Sequence, residues 1–127
     1  MDLYIGMKGC LQTTVTDKNT AKALKSGELD VFATPALVAL AEETAWKSVS
    51  ECLEHNQSTV GTKINISHIA PTPIGMNVKC ETELIEIDRR KLVFNVNVYD
   101  DKKQIAVGKH ERFIVNIEKF LSKANEL

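Results

Sequence analysis

Cysteine is scarce in this sequence: Cys10, Cys52 and Cys80 are an odd number, lie far apart and form no C-x-x-C pair. Neither a disulfide framework nor a zinc site is expected from that spacing. Each thiol reads as a small buried hydrophobe in a reducing cytoplasm. A surplus of one charge is also missing. Sixteen basic residues against 17 acidic ones leave a net charge of −1, so no nucleic-acid partner is expected. Long apolar runs are lacking too. The uncharged stretch Val31 to Ala41 falls well short of the ~20 residues that cross a bilayer, and no membrane partner is expected. Met1-Asp2-Leu3-Tyr4 shows neither the basic nor the apolar region of a signal peptide, which again fits a cytoplasmic protein. No repeat, low-complexity tract or long linker interrupts the chain, so residues 1–127 read as a single domain.

What is present suits one ordinary core. The chain has 127 residues, 43% hydrophobic and 26% charged, and a chain of that size buries roughly two-thirds of its extended surface. Residues 7–16 are rich in Thr and Val and read as a first strand. Asp17 to Leu24 reads as a short helical turn stopped by Ser26-Gly27. The strongest helix signal follows: Thr34 at the N-cap, Pro35 at the first helical position, and a run to about Leu53. Strands are expected at Thr59 to Ile69, Met76 to Asp88, Lys91 to Tyr99 and Gln104 to Asn116. Asp88-Arg89-Arg90 and Asp100-Asp101-Lys102 supply turns. One long helix followed by an antiparallel meander makes the class α+β, with the helix packed on a curved sheet.

The helix carries an anomaly. Val38, Ala41, Ala45, Val49 and Cys52 share a face at 3.6 residues per turn, and Glu42 falls within or at the border of it. Glu43 groups with Ala39, Lys47 and Ser50 on the polar side. A carboxylate turned toward a core is suited to proton transfer; the plainer alternative is a rim residue whose oxygens reach water. His68 poses the same question, since it follows Ile64 and Ile66 in the apolar phase of its strand. It reads either as a satisfied core histidine or as a catalyst near Glu42, within one chain or across a dimer. His110 and Arg112 share a phase of the last strand and read either as site residues or as an exposed or ion-paired ladder with Glu111 nearby. His55 is a helix C-terminal cap.

These residues resemble the fluoroacetyl-CoA thioesterase family of hotdog-fold proteins. The resemblance rests on Val31-Phe32-Ala33-Thr34 with Glu42 beyond it, and on Gly61-Thr62 through His68 into Ala70-Pro71-Thr72-Pro73-Ile74-Gly75. His110-Glu111-Arg112 and Glu118-Lys119-Phe120 complete it, in order and in spacing. It implies a hotdog fold, a long central helix wrapped by about five antiparallel strands. It implies an acyl-CoA substrate hydrolysed to acid and CoA, with no metal and no cofactor beyond the CoA that enters with the substrate. It also implies a homodimer with active sites between protomers, a tetramer being left open. Carried over, Thr34, Glu42 and His68 are the catalytic trio, Gly61 lies near the attacking water or oxyanion, and Arg112 supports.

One stretch departs from the family. Where the fluoroacetyl-specific member has phenylalanines forming an apolar lid, Ser26-Gly27-Glu28-Leu29-Asp30 has no aromatic residue, so no preference for fluoroacetyl-CoA is expected. Arg89, Arg90 and Lys91 are one candidate cluster for the CoA phosphates; the alternative is a solvated turn. Two other readings compete. One is a hotdog protein that binds an acyl-CoA or related ligand without hydrolysing it. The other is a cone-shaped α+β binder or isomerase, which would place several helices before its sheet.

Overall fold

Alternating burial along the strands builds a sheet with one dry face. In the computed structural model, which describes residues 2–126, five strands pair antiparallel: β1 (Lys8–Thr14), β2 (Gln57–His68), β3 (Asn77–Asp88), β4 (Lys91–Asp100) and β5 (Gln104–Asn116). Their order is β1-β3-β4-β5-β2, which leaves β1 and β2 at the edges. In β4, Leu92, Phe94, Val96 and Val98 are buried, while Asn95, Asn97 and Tyr99 turn the other way. The helix α1 (Thr34–Val49) lies across the dry face and buries Leu37, Leu40, Ala41, Thr44, Ala45 and Val49. Those apolar contacts, worth ~25 cal/mol per Å² removed from water, join Phe32, Val78 and Ile105 at one end of the helix and Met7, Leu84 and Phe94 at the other.

Several details differ from the sequence expectation. The buried helical face is centred on Leu37, Leu40 and Thr44, with Val38 and Cys52 only half-buried at its margin. The helix stops at Val49 and passes through a 3-10 turn, Ser50–Cys52. Thr34 is not the cap: Ala33 holds that position and no side chain caps the helix. Asp17 to Leu24 forms linked turns rather than a helix, with one helical bond from Leu24 N–H to the Thr20 carbonyl. Cys10 faces outward instead of packing inside; Cys80 is buried, which pushes its thiol up to about 11. A bulge between Gly61 and Lys63 shifts the phase of β2, so Thr59 is buried there and Thr62 is exposed. Finally, the chain after β5 forms a second helix, α2 (Ile117–Ala124). The Asn116 side chain caps it, accepting from Lys119 N–H at 3.0 Å.

Candidate active site

The first turn of α1 and the last residue of β2 meet at one end of the sheet. Because Ala33 takes the cap position, the Thr34 hydroxyl is free to bond sideways, and it lies 2.8 Å from His68 Nδ1. Burial pushes the His68 imidazole below its ordinary pKa, against a smaller upward pull from the Ala70 backbone. The ring is therefore neutral at pH 7, and its Nε2 is buried with no hydrogen-bond partner among the described residues. A cleft of about 290 Å³ opens beside the pair, lined by Val31, Phe32, Ile69 and Pro71.

A second cluster sits farther along the helix. The Arg112 guanidinium, on β5, is buried and divides its donors among three residues. Nε donates to Thr59 Oγ1 at 2.9 Å, Nη2 to the Thr59 carbonyl at 3.0 Å, and Nη1 to Glu42 Oε2 at 3.3 Å. Nη1 also lies 3.1 Å from His110 Nε2. His110 Nδ1 is 2.8 Å from the Lys63 carbonyl, which can only accept. The proton of His110 is thus on Nδ1, and Nε2 accepts from the arginine. Burial, reinforced by the Arg112 charge, lowers the His110 pKa and agrees with that neutral form. The 4.0 Å approach of His110 to Glu42 is consequently not an ion pair.

Gly61 completes this cluster by being small. A Cβ at Gly61 would run into the Glu42 carboxylate and come within 3.3 Å of both the Arg112 guanidinium and the His110 ring. The side chain of Glu42 remains 42% exposed. It is thus neither a fully desolvated core carboxylate nor an idle rim residue, because Arg112 holds it over Gly61.

The sequence-derived candidates therefore fall into two sets. Thr34 and His68 are together, and Glu42, Gly61 and Arg112 are together. Within one chain the sets are separated: eight helical positions from Thr34 to Glu42 amount to about 12 Å. Seven strand positions from Gly61 to His68 amount to roughly 23 Å. His110 and Arg112 are buried at the site, not an exposed ladder. Thr59, which fixes the arginine, escaped notice because only the bulge after Gly61 turns it inward. Arg89, Arg90 and Lys91 stand at the β3–β4 turn beside Phe113, where Arg89 pairs with Asp88 and Lys91 with Glu86, each at 3.3 Å. Among the described residues no group of three or more metal-ligating side chains occurs, and no helix is long and apolar enough to cross a membrane.

This helix-in-sheet architecture is the hotdog fold, and the chain is a thioester hydrolase of that class. It belongs to the fluoroacetyl-CoA-specific thioesterase family, whose model matches residues 15–118. A fluoroacetyl-CoA thioesterase of Streptantibioticus cattleyicolor is 34% identical over 97 residues, covering 76% of this chain and 70% of that protein. A solved structure of a fluoroacetyl-CoA thioesterase superposes with a TM-score of 0.93 at 28% identity, covering 98% of this chain and 96% of the other. A mutant of that kind of enzyme, solved with fluoroacetate and CoA, superposes with a TM-score of 0.88 at 29% identity, covering 93% and 99%.

Proposed function

We propose that the protein hydrolyses short acyl-CoA thioesters in a site completed by a second copy of the chain. The observation that carries this reading is the separation just described, which antiparallel pairing of the open β2 edge would close. A strand paired with its own copy across a two-fold axis sets its beginning against the partner's end. With residues 58–69 paired, Gly61 lies about two positions, roughly 7 Å along the strand, from the place opposite the partner subunit's His68. Glu42 of one protomer then faces Thr34 and His68 of the other, and the unpaired edge is covered.

In that site Glu42, oriented by Arg112 and seated on Gly61, takes the proton from an attacking water. The Thr34 hydroxyl donates to His68 Nδ1 and so keeps the His68 proton on Nε2. From there Nε2–H donates a hydrogen bond to the developing oxyanion while the ring stays neutral, and the proton that Glu42 took from the water passes to the departing CoA sulfur. The Gly61 backbone, unobstructed by a side chain, lets water or the thioester approach the carboxylate. No metal or further cofactor takes part, and the enzyme works in the cytoplasm.

The acyl group is short because the cleft is small, and fluorine is not strongly selected because Ser26–Asp30 brings no aromatic residue to it. Differences of one methylene or one fluorine are worth only about 1–3 kcal/mol in such a pocket. Hydrolysis of a panel of short acyl-CoAs, followed by thiol release, tests the reading. Turnover of acetyl-CoA-sized or somewhat larger substrates is expected, with little preference for fluoroacetyl-CoA. Binding without turnover would establish a ligand-binding protein instead. A thousandfold preference for the fluorinated substrate would overturn the specificity assignment. Light scattering should return a dimer; a 14 kDa monomer at micromolar concentration would remove the shared site.

A further inference from the structure

The α2 helix buries none of its side chains in its own chain, although Ile117, Phe120 and Leu121 form one apolar face at positions i, i+3 and i+4. Phe120 is 42% and Leu121 54% exposed, while Glu118, Lys119, Ser122 and Lys123 line the opposite, polar side. The helix is fixed at the beginning of β2, where Ile117 N–H donates to the Asn56 carbonyl at 2.9 Å. At the other end of β2 the Thr34–His68 cleft has an apolar mouth of its own, where Ile69 is 57% exposed beside Pro71.

We infer that the apolar face of α2 docks on the partner subunit's Thr34–His68 cleft and forms an outer wall of its acyl pocket, with Phe120 as the specificity-determining residue. The inference rests on the dimer of the proposed function. Antiparallel pairing of β2 with its copy brings the start of one strand beside the end of the other, and α2 begins at that start. In a single chain the two apolar surfaces lie at opposite ends of a 12-residue strand, roughly 40 Å apart, and cannot meet. In the pair each supplies what the other lacks: a small apolar surface to cover, and an amphipathic helix with nothing to cover.

Two measurements test this in the full chain. The first joins Phe120→Cys and Ile69→Cys in a Cys10→Ser, Cys52→Ser background with a short bis-maleimide reagent. Because the two thiols are too far apart within one chain, a link can form only between copies, and a covalent dimer is expected. The second compares acetyl-CoA with butanoyl-CoA as substrates for Phe120→Ala/Leu121→Ala. The ratio of their kcat/KM values should change about tenfold, since these side chains are exposed in the monomer and their loss leaves its core intact. A dimer by light scattering that does not cross-link, or whose substrate ratio is unchanged in the double variant, would overturn the inference and leave the dimeric thioesterase standing. A monomer would overturn both.

Discussion

Asp100 holds Thr72 by a hydrogen bond of 2.9 Å from the threonine hydroxyl, joining the β4–β5 turn to the loop that follows His68. The carbonyl of Thr72 accepts from Phe32 N–H at 2.9 Å, two residues before Thr34. One buried carboxylate therefore ties down both segments that carry the Thr34–His68 pair. Burial pushes the Asp100 carboxyl up, but Lys103 Nζ, the N–H groups of Lys102 and Lys103 and the Thr72 hydroxyl outweigh it and hold it at about 2. A carboxyl with a depressed folded-state pKa adds stability that is present above its unfolded value near 4. That stability is lost as the pH falls toward 2.

Asp100→Asn should lower stability at pH 7 by about 2 kcal/mol, as expected for losing hydrogen bonds to a charged acceptor. It should also flatten the fall in Tm between pH 4 and pH 2. Thermal melts of both proteins across that range check this. An unchanged acid slope would show that Asp100 is not the group titrating.

Arg112→Lys tests whether the arginine acts as a shaped donor or as a charge. A lysine supplies one ammonium where the guanidinium reaches Thr59, Glu42 and His110 at once, so the Thr59 carbonyl or His110 Nε2 is left buried and unpaired. The loss should be about 2 kcal/mol, seen as a Tm lowered by several degrees, together with a fall in kcat as Glu42 loses its anchor. A lysine variant with wild-type Tm and kcat would reduce Arg112 to a simple counter-charge.

The fold was legible where period and burial coincide. Leu92, Phe94, Val96 and Val98 alternate in the sequence and are all buried in the sheet. The Gln104–Asn116 strand has the expected ends. Thr34 stands at the expected helix end but is not its cap: its hydroxyl meets His68, and capping statistics cannot see that residue approaching from β2. The helix α2 lies beyond the expected elements, although its signal is present in the Asn116 cap and the i, i+3, i+4 spacing of Ile117, Phe120 and Leu121; eight residues make too short a pattern to stand out after a long strand. Helical spacing placed Glu42 at the border of the buried face. It could not show that Arg112, 70 residues later, would hold it there.

Gly61→Ala probes the close approach directly. The new Cβ would enter the space of the Glu42 carboxylate, the mobile end of a long side chain, which can swing away without disturbing the backbone. The fold should survive with Tm nearly unchanged, and kcat should fall roughly 10- to 100-fold if Glu42 acts as the base. A large loss of stability with residual activity intact would mean that Gly61 serves the sheet and not the chemistry.

The adjacent carboxylates of α1 provide the sharpest comparison. Glu43 pairs with Lys47 at 2.6 Å one turn along the same helix, and both side chains are nearly half exposed, so this ion pair contributes little. Glu42, one residue earlier, is turned by the helix onto Gly61 and Arg112. Glu42→Gln preserves volume and can still accept from Arg112, but it removes the base. If Glu42 takes the proton from water, kcat should fall by roughly 10²–10⁴ while the protein remains folded. Glu43→Gln should alter activity only a few-fold and stability by no more than about 0.5 kcal/mol. Steady-state kinetics on one acyl-CoA, with thermal melts of both variants, separates the two residues. Equal activity, or a greater loss from Glu43→Gln, would remove Glu42 from the reaction and leave its contact with Arg112 a structural one.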